Sequence, residues 1–310
     1  MKDKIANKPD FFIVGAPKCG TTALYEYLRQ HPEIFMPEGL KEPNYFNTDL
    51  HSAVWRRPTL DEYLALFAPA SNQKRIGEAS VWYLYSKVAA WEIRQFSQAA
   101  RIIIMLRNPV DMIYSLHSEL LFGLDESIAD FRQALEAEEE RKLKRIKPTG
   151  TLPVECLFYR DIGKYSKQVQ QYYEMFGRDR VHIIIFDDLR KDPKTVYQNV
   201  LDFLNVAKDF QPAFTIVNPN KMIRSERLNR LLFYSPQYAR RIVRIFLPEK
   251  VRWKIGSLMR QLNVKREKRS PMDRDLHKML QLEFADDIKI LSSLVGRDLS
   301  HWTQDSFAEK

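Results

Sequence analysis

Two cysteines, Cys19 and Cys156, stand in 310 residues. That is too few for a disulfide framework, and a reducing compartment is the simplest setting. The uninterrupted apolar stretches are short and strand-like, far below the roughly 20 residues a membrane-crossing helix needs. Met1 to Asp10 is polar, and Phe11 to Val14 is too short for the apolar core of a signal peptide. The expectation is a cytoplasmic protein, at most peripheral at a membrane. Low-complexity tracts and internal repeats are absent. What remains is a globular composition. Hydrophobic residues at 45% and aromatics at 12% support a packed core, in a chain long enough for one large α/β domain or two modest ones.

Charge is unevenly placed. The formal net charge is +9. Between Arg240 and Arg269 there are eleven Lys or Arg against two Asp or Glu, so this stretch holds the entire excess and the rest is balanced. Val251, Ile255, Leu258, Met259 and Leu262 interleave at helical spacing. Such a basic amphipathic region suits an anionic acceptor, a membrane surface or an acidic carrier protein, or it is a solvated helix face. No base-reading module is visible, which argues against nucleic acid.

The densest signal is Phe11-Phe12-Ile13-Val14-Gly15-Ala16-Pro17-Lys18-Cys19-Gly20-Thr21-Thr22-Ala23-Leu24. An apolar run stops at Gly-x-Pro, and a helical pattern starts at Thr-Thr-x-Leu. A strand, a tight loop and a helix N-terminus make a ready anion site, because the first helical N–H groups lack partners. Gly15 and Gly20 have the spacing of a nucleotide-hydrolysing P-loop, but Thr21 stands where that loop has its Lys. The Lys sits at position 18 instead, which suits a single 5′-phosphate carrying a transferable group. A second strand, Arg101 to Leu106, runs into Arg107-Asn108-Pro109 and a helix. Arg107 thus lies at a strand's C-terminal edge, where open α/β sheets bind ligands. Ser115 lies about two turns on. Arg107 and Ser115 could clamp a second phosphate.

These residues resemble the sulfotransferases that use 3′-phosphoadenosine 5′-phosphosulfate (PAPS). Pro17 to Leu24 resembles their 5′-phosphosulfate loop, and Arg107-Asn108-Pro109 with Ser115 their 3′-phosphate motif. Leu40-Lys41-Glu42-Pro43-Asn44-Tyr45-Phe46 is similar to the K-E-P segment of the heparan-sulfate type. The likeness extends through Gly163-Lys164-Tyr165, Ile183 to Leu189, Asp192-Pro193 and Phe203-Leu204, and again over Leu294 to Trp302. The resemblance implies that Lys18, Cys19, Gly20, Thr21 and Thr22 hold the 5′-phosphate, with Lys18 also on the oxygen bridging to sulfur. Arg107 and Ser115 would hold the 3′-phosphate, and Glu42 would be the general base. No metal is required for such a transfer. Lys41 would steady Glu42 or meet an acidic substrate. Gly77 to Leu84 is similar to an E-x-[ST]-P-x-Y motif with Val81 in place of Pro, which puts Glu78, Ser80 and Tyr83 at the acceptor or nucleotide pocket. Cytosolic small-molecule sulfotransferases place a catalytic His near this region and none occurs here, so the resemblance implies a carboxylate base. His117 is the alternative base, but it falls on a different helix face from Ser115 and reads as a packed or capping residue. The acceptor implied is a carbohydrate or glycolipid.

The expected architecture is α/β: a P-loop-like parallel sheet flanked by helices, with a helical C-terminal extension. Strands are expected near 11–15, 74–79, 101–106 and 181–186. Helices are expected near 21–30, 59–67, 88–98, 110–121, 128–147, 164–176, 194–204, 225–246, 250–262 and 273–294. The whole of 1–310 reads as one domain, with a core over about 8–217 and a basic extension over about 218–310. Lys221 and Arg224, in Asn218 to Arg227 after the last core helix and before the basic helices, could close over the nucleotide as a flap. Two other classes compete. A P-loop kinase or NTPase would use the strand Val181 to Phe186, ending in Asp187-Asp188, as its Walker-B strand. A non-catalytic polyanion or membrane-surface binder would rest on 240–269 alone.

Overall fold

Five strands lie side by side in the order β2-β3-β1-β4-β5, every pair parallel. The structure, a computed structural model, describes residues 7–50, 52, 56–145, 150–214, 222–223, 264–265 and 270–304. Strand β1 is Phe11–Gly15, β2 Ile34–Phe35, β3 Arg75–Ala79, β4 Arg101–Leu106 and β5 Val181–Ile185. Four of these were expected, three of them (β1, β4 and β5) from apolar runs of strand length; β3 reads Arg-Ile-Gly-Glu-Ala and carries no such run. The edge strand β2 has two residues, too few to show a period.

All five residues of β1 are buried, as are Ile102 to Leu106 of β4. Strands covered on both faces read as continuous rather than alternating apolar runs, and these two do. Helices α1 (Thr21–Arg29), α3 (Ala89–Phe96), α4 (Pro109–Gly123), α8 (Tyr165–Phe176) and α10 (Pro193–Leu204) surround the sheet. Between them come the shorter α2 (Leu60–Ala65), α5 (Phe131–Glu136), α6 (Glu138–Lys142), α7 (Tyr159–Gly163) and α9 (Phe186–Lys191). Several start sites are written in the sequence. Asn108 and Asp192 each accept a bond from the helix they cap, with Pro at the first turn. Thr59 and Glu62 form a capping box on α2.

The sequence expectation of one helix over 128–147 fails. Residues 131–142 form two short helices that meet at Ala137. The break lets Glu138 and Arg141 turn inward. Arg141 Nη2 donates to both oxygens of Glu126 at 2.8 Å. Glu126 also accepts from the Tyr159 hydroxyl at 2.9 Å and from the amides of Ser127 and Ile128. Glu138 accepts from the amide of Arg160 at 3.1 Å.

A long C-terminal helix, α11 (Arg274–Val295), packs against α8 and α4 and buries Leu280, Phe284 and Leu291. Its closest approach is at Gly163, where a Cβ would come within 2.7 Å of Phe284. Residues Met222–Ile223 (β6) and Val264–Lys265 (β7) form a separate antiparallel pair. The helices expected over 225–246 and 250–262, and the rest of the basic 240–269 stretch, lie outside the described residues. Among the described residues, no helix is long and apolar enough to cross a membrane.

The Arg141–Glu126 pair generates a stability prediction. Both side chains are almost fully buried, at 2% and 1% exposure. Removing one partner strands a buried charge, which costs about 3–5 kcal/mol. Urea unfolding of Arg141→Met should show a loss of that size; a loss below about 1 kcal/mol would mean that Glu126 finds other partners.

Candidate functional site

Because β1 and β4 are neighbours and parallel, their C-terminal ends open at the same sheet edge. At the first end the backbone leaves the ordinary regions three times within six residues. Gly15 has φ 147°, Lys18 φ 60° and Gly20 φ 87°. A Cβ on Gly15 would sit 2.7 Å from the Val81 carbonyl oxygen, and one on Gly20 2.9 Å from Leu189. Gly20 caps α1 with no side-chain bond, so the first amides of the helix stay open to a ligand. Lys18 reaches across to an ion pair with Glu119 on α4. Cys19 points the other way. It is fully buried, with Sγ 3.3 Å from the Pro17 carbonyl oxygen. Burial pushes its thiol up to about 12, so it packs rather than reacts.

At the second strand end, Arg107 lies over the Phe186 ring at 5.1 Å, with Nη2 3.4 Å from Asp111. Ser115 follows on α4. The phosphate loop, Arg107 and Ser115 line one cleft of about 650 Å³. Of the expected site residues, Lys18, Gly20, Thr21, Thr22, Lys41, Glu42, Arg107 and Ser115 all lie on it. The Cys19 side chain does not. Lys221 and Arg224 lie outside the described residues.

Glu42 is held by a chain of contacts from beneath. It has φ 71°, and Asn44, two residues on, has φ 50°. Non-glycine residues persist there only where neighbours over-determine them. The Glu42 amide donates to the carbonyl of Ala79, the last residue of β3, at 2.9 Å. The Asn44 amide donates to Ser80 Oγ at 3.1 Å, and the Tyr45 amide to the Tyr83 hydroxyl at 2.8 Å. Ser80 donates in turn to Glu78 at 2.7 Å, and the Tyr63 hydroxyl to the other Glu78 oxygen at 2.5 Å. Lys41 Nζ bridges Glu42 Oε1 at 2.6 Å and Thr21 Oγ1 at 3.3 Å, so the loop and the phosphate cradle are tied together.

Glu78, Ser80 and Tyr83, expected at the pocket, lie fully buried behind its wall. Their place on the wall is taken by Val81 and Trp82. Period-2 alternation is broken at this strand end, so the spacing of the motif did not tell which side each residue faces. Burial pushes the Glu78 carboxyl up to about 7, against the bonds from Tyr63 and Ser80 that favour its charged form.

The acidic pair Asp187-Asp188 does not serve the cleft. The fifth strand ends at Ile185, and both residues lie in the first turn of α9. Asp188 is paired with Arg297 at 2.7 Å, and Asp187 accepts from Trp302 Nε1 at 3.2 Å. That removes the structural basis for a Walker-B reading. His117 is buried, with Nε2 2.9 Å from the Ile128 carbonyl oxygen. Burial lowers its pKa. The reading from sequence passed over Glu119, Trp82 and Phe186. Glu119 alone had a signal, since it falls four residues after Ser115 on the same helix face.

The comparisons agree in direction. A family model described as a sulfotransferase domain matches residues 8–230. Human carbohydrate sulfotransferase 15 is 27% identical over 248 residues, covering 64% of this chain and 44% of the relative. Mouse bifunctional heparan sulfate N-deacetylase/N-sulfotransferase 4 is 27% identical over 217 residues, covering 65% and 23%. The chain therefore spans less than half the length of these curated relatives. The crystal structure of a sulfotransferase from Alicyclobacillus acidocaldarius superposes with a TM-score of 0.72 at 30% identity, covering 96% of this chain and all of that one.

The raised Glu78 carboxyl has a consequence for pH. The folded value of about 7 exceeds the unfolded value of 4.5, so folding takes up a proton. The stabilisation is complete below about pH 4.5 and is lost as pH rises to about 7. Glu78→Gln should flatten the fall in melting temperature between pH 5 and pH 8. Part of the fall should remain, because burial also pushes Glu138 up to about 7. An unchanged pH profile in the variant would show that Glu78 is already ionised at pH 5.

Proposed function

The chain belongs to the sulfotransferase domain family, and from that premise we propose that it moves a sulfonate group from PAPS to a hydroxyl or amine of a carbohydrate or glycolipid. The observation that carries this reading is the shared cleft. An anion cradle with Lys18, a second cationic station at Arg107 and Ser115, and a fixed carboxylate at Glu42 all open onto it. Gly20 leaves the cradle open, since a side chain there would already collide with Leu189 and Phe186.

Each residue has a task that its surroundings fit. Thr21, Thr22 and the first amides of α1 bind the 5′-phosphate. Arg107 and Ser115 bind the 3′-phosphate by charge-assisted and hydroxyl bonds, with Phe186 beneath the guanidinium. Glu42 takes the proton of the acceptor as its oxygen or nitrogen bonds to sulfur. The bond from sulfur to the 5′-phosphate oxygen breaks at the same time, and Lys18 stabilises the charge left on that oxygen. The products are the sulfated acceptor and 3′-phosphoadenosine 5′-phosphate. As in phosphoryl transfer, most of the rate comes from positioning and electrostatics. The strained loop at Glu42 and its anchoring to Ser80 and Tyr83 support such positioning.

Calorimetry separates the parts. The wild-type chain should bind 3′-phosphoadenosine 5′-phosphate and prefer it to ATP. Arg107→Ala should weaken that binding roughly 10- to 100-fold, the usual cost of a lost hydrogen bond to a charged group. Glu42→Gln should keep nucleotide affinity and lose transfer by about 10²–10⁴-fold. Near-normal turnover in Glu42→Gln would remove Glu42 from the mechanism, and preference for ATP would overturn the donor.

A further inference from the structure

Helix α4 runs along the cleft like a ruler. Arg107 lies just before it, Ser115 two turns in, and Glu119 one turn beyond Ser115, about 6 Å further at 1.5 Å per residue. Glu119 meets Lys18, so the donor half proposed above ends at that level. The cleft continues past it to Phe122, Asp125 and the Thr151–Leu152 segment, with Trp82 also on its wall. Asp125 holds this far end together. Its Oδ1 accepts from the Thr151 amide at 2.7 Å and the Leu152 amide at 3.1 Å.

The two halves differ in chemistry. Among the described residues that line the cleft, the Lys and Arg side chains are Lys18, Lys41 and Arg107, and all three belong to the donor half or to Glu42. Beyond them the wall is apolar at Trp82, Leu120, Phe122 and Leu152, and acidic at Glu119 and Asp125. Once Lys18 engages the phosphosulfate, the Glu119 carboxylate loses the counterion that it has among the described residues, at the entrance to this half. From this arrangement we infer that the acceptor half takes an uncharged alcohol with an apolar body, of the alkyl glycoside type, and rejects polyanionic glycans. An apolar body gains by leaving water against the half-buried Phe122 and Leu152. A polyanion meets an uncompensated like charge at Glu119, which is specificity by repulsion. This inference rests on the donor placement proposed above.

The test compares two acceptors with labelled PAPS: octyl β-glucoside, and a fully desulfated, N-acetylated heparin hexasaccharide, which keeps its carboxylates. The wild-type chain should favour the glucoside in kcat/KM by at least tenfold. Glu119→Lys should cut that preference to about threefold or less. Phe122→Ala should raise KM for the glucoside with kcat kept. Preference for the hexasaccharide, turnover of neither acceptor, or a Glu119→Lys variant with the wild-type ratio would overturn the inference. Binding of 3′-phosphoadenosine 5′-phosphate to the same preparation distinguishes the failures. Nucleotide bound with the wrong acceptor preference sinks this inference alone; no nucleotide bound sinks the donor reading with it.

Discussion

Two hydrogen-bonded parallel strands must end at the same edge, and the placement of the whole site follows from that constraint. The phosphate loop leaves β1 and the Arg107 turn leaves β4, so 86 and more residues of intervening chain are irrelevant to their meeting. The third strand of the group, β3, ends beside them and supplies the Ala79 carbonyl and Ser80 hydroxyl that fix the Glu42 loop. Three strand ends thus bring together the cradle, the second cation and the carboxylate. Helices cover both faces, so the edge is the exposed part of a sheet that is otherwise dry.

Charge balance is the second theme. Lys18, Lys41 and Arg107 converge on one cleft and would repel one another. In the structure each has a carboxylate: Glu119, Glu42 and Asp111 respectively. None of these pairs is deeply buried, and exposed pairs of this kind contribute little to stability, roughly 0–1 kcal/mol. Their weakness is compatible with the donor binding proposed above, in which these cations would exchange partners for an anion. The Arg141–Glu126 pair is the opposite case: it is buried, with one guanidinium nitrogen held by both carboxylate oxygens, and neither residue is on the cleft wall. One set of ion pairs is built to be broken and the other to stay.

Much of this was legible in the sequence because the informative residues are local. Gly15, Lys18, Gly20 and Thr21 lie within one loop, and Arg107-Asn108-Pro109 within one turn, so spacing alone places them on a strand end and a helix start. The strands β1, β4 and β5 declare themselves by apolar runs of the right length. What spacing cannot carry is direction. Glu78 and Ser80 fall in a motif beside the pocket, yet both face inward, and Val81 and Trp82 take the wall instead. Nor can it carry partners distant in the chain. Glu119 finds Lys18 across 101 residues, and Asp188 finds Arg297 across 109. The same holds over 131–142, where Arg141 and Glu138 find their partners in Glu126 and Arg160.

The burial of Cys19 reaches beyond packing. A thiolate is the form that oxidants and electrophiles attack, and burial keeps this thiol protonated in the middle of the phosphate loop. Cys156 is also fully buried and also pushed well upward. Neither sulfur is offered to glutathione, to peroxide or to a disulfide exchange partner. Once folded, the chain exposes neither thiol to the redox poise around it. A low cysteine count had suggested a reducing home; the way those two cysteines are stored makes them silent on the question.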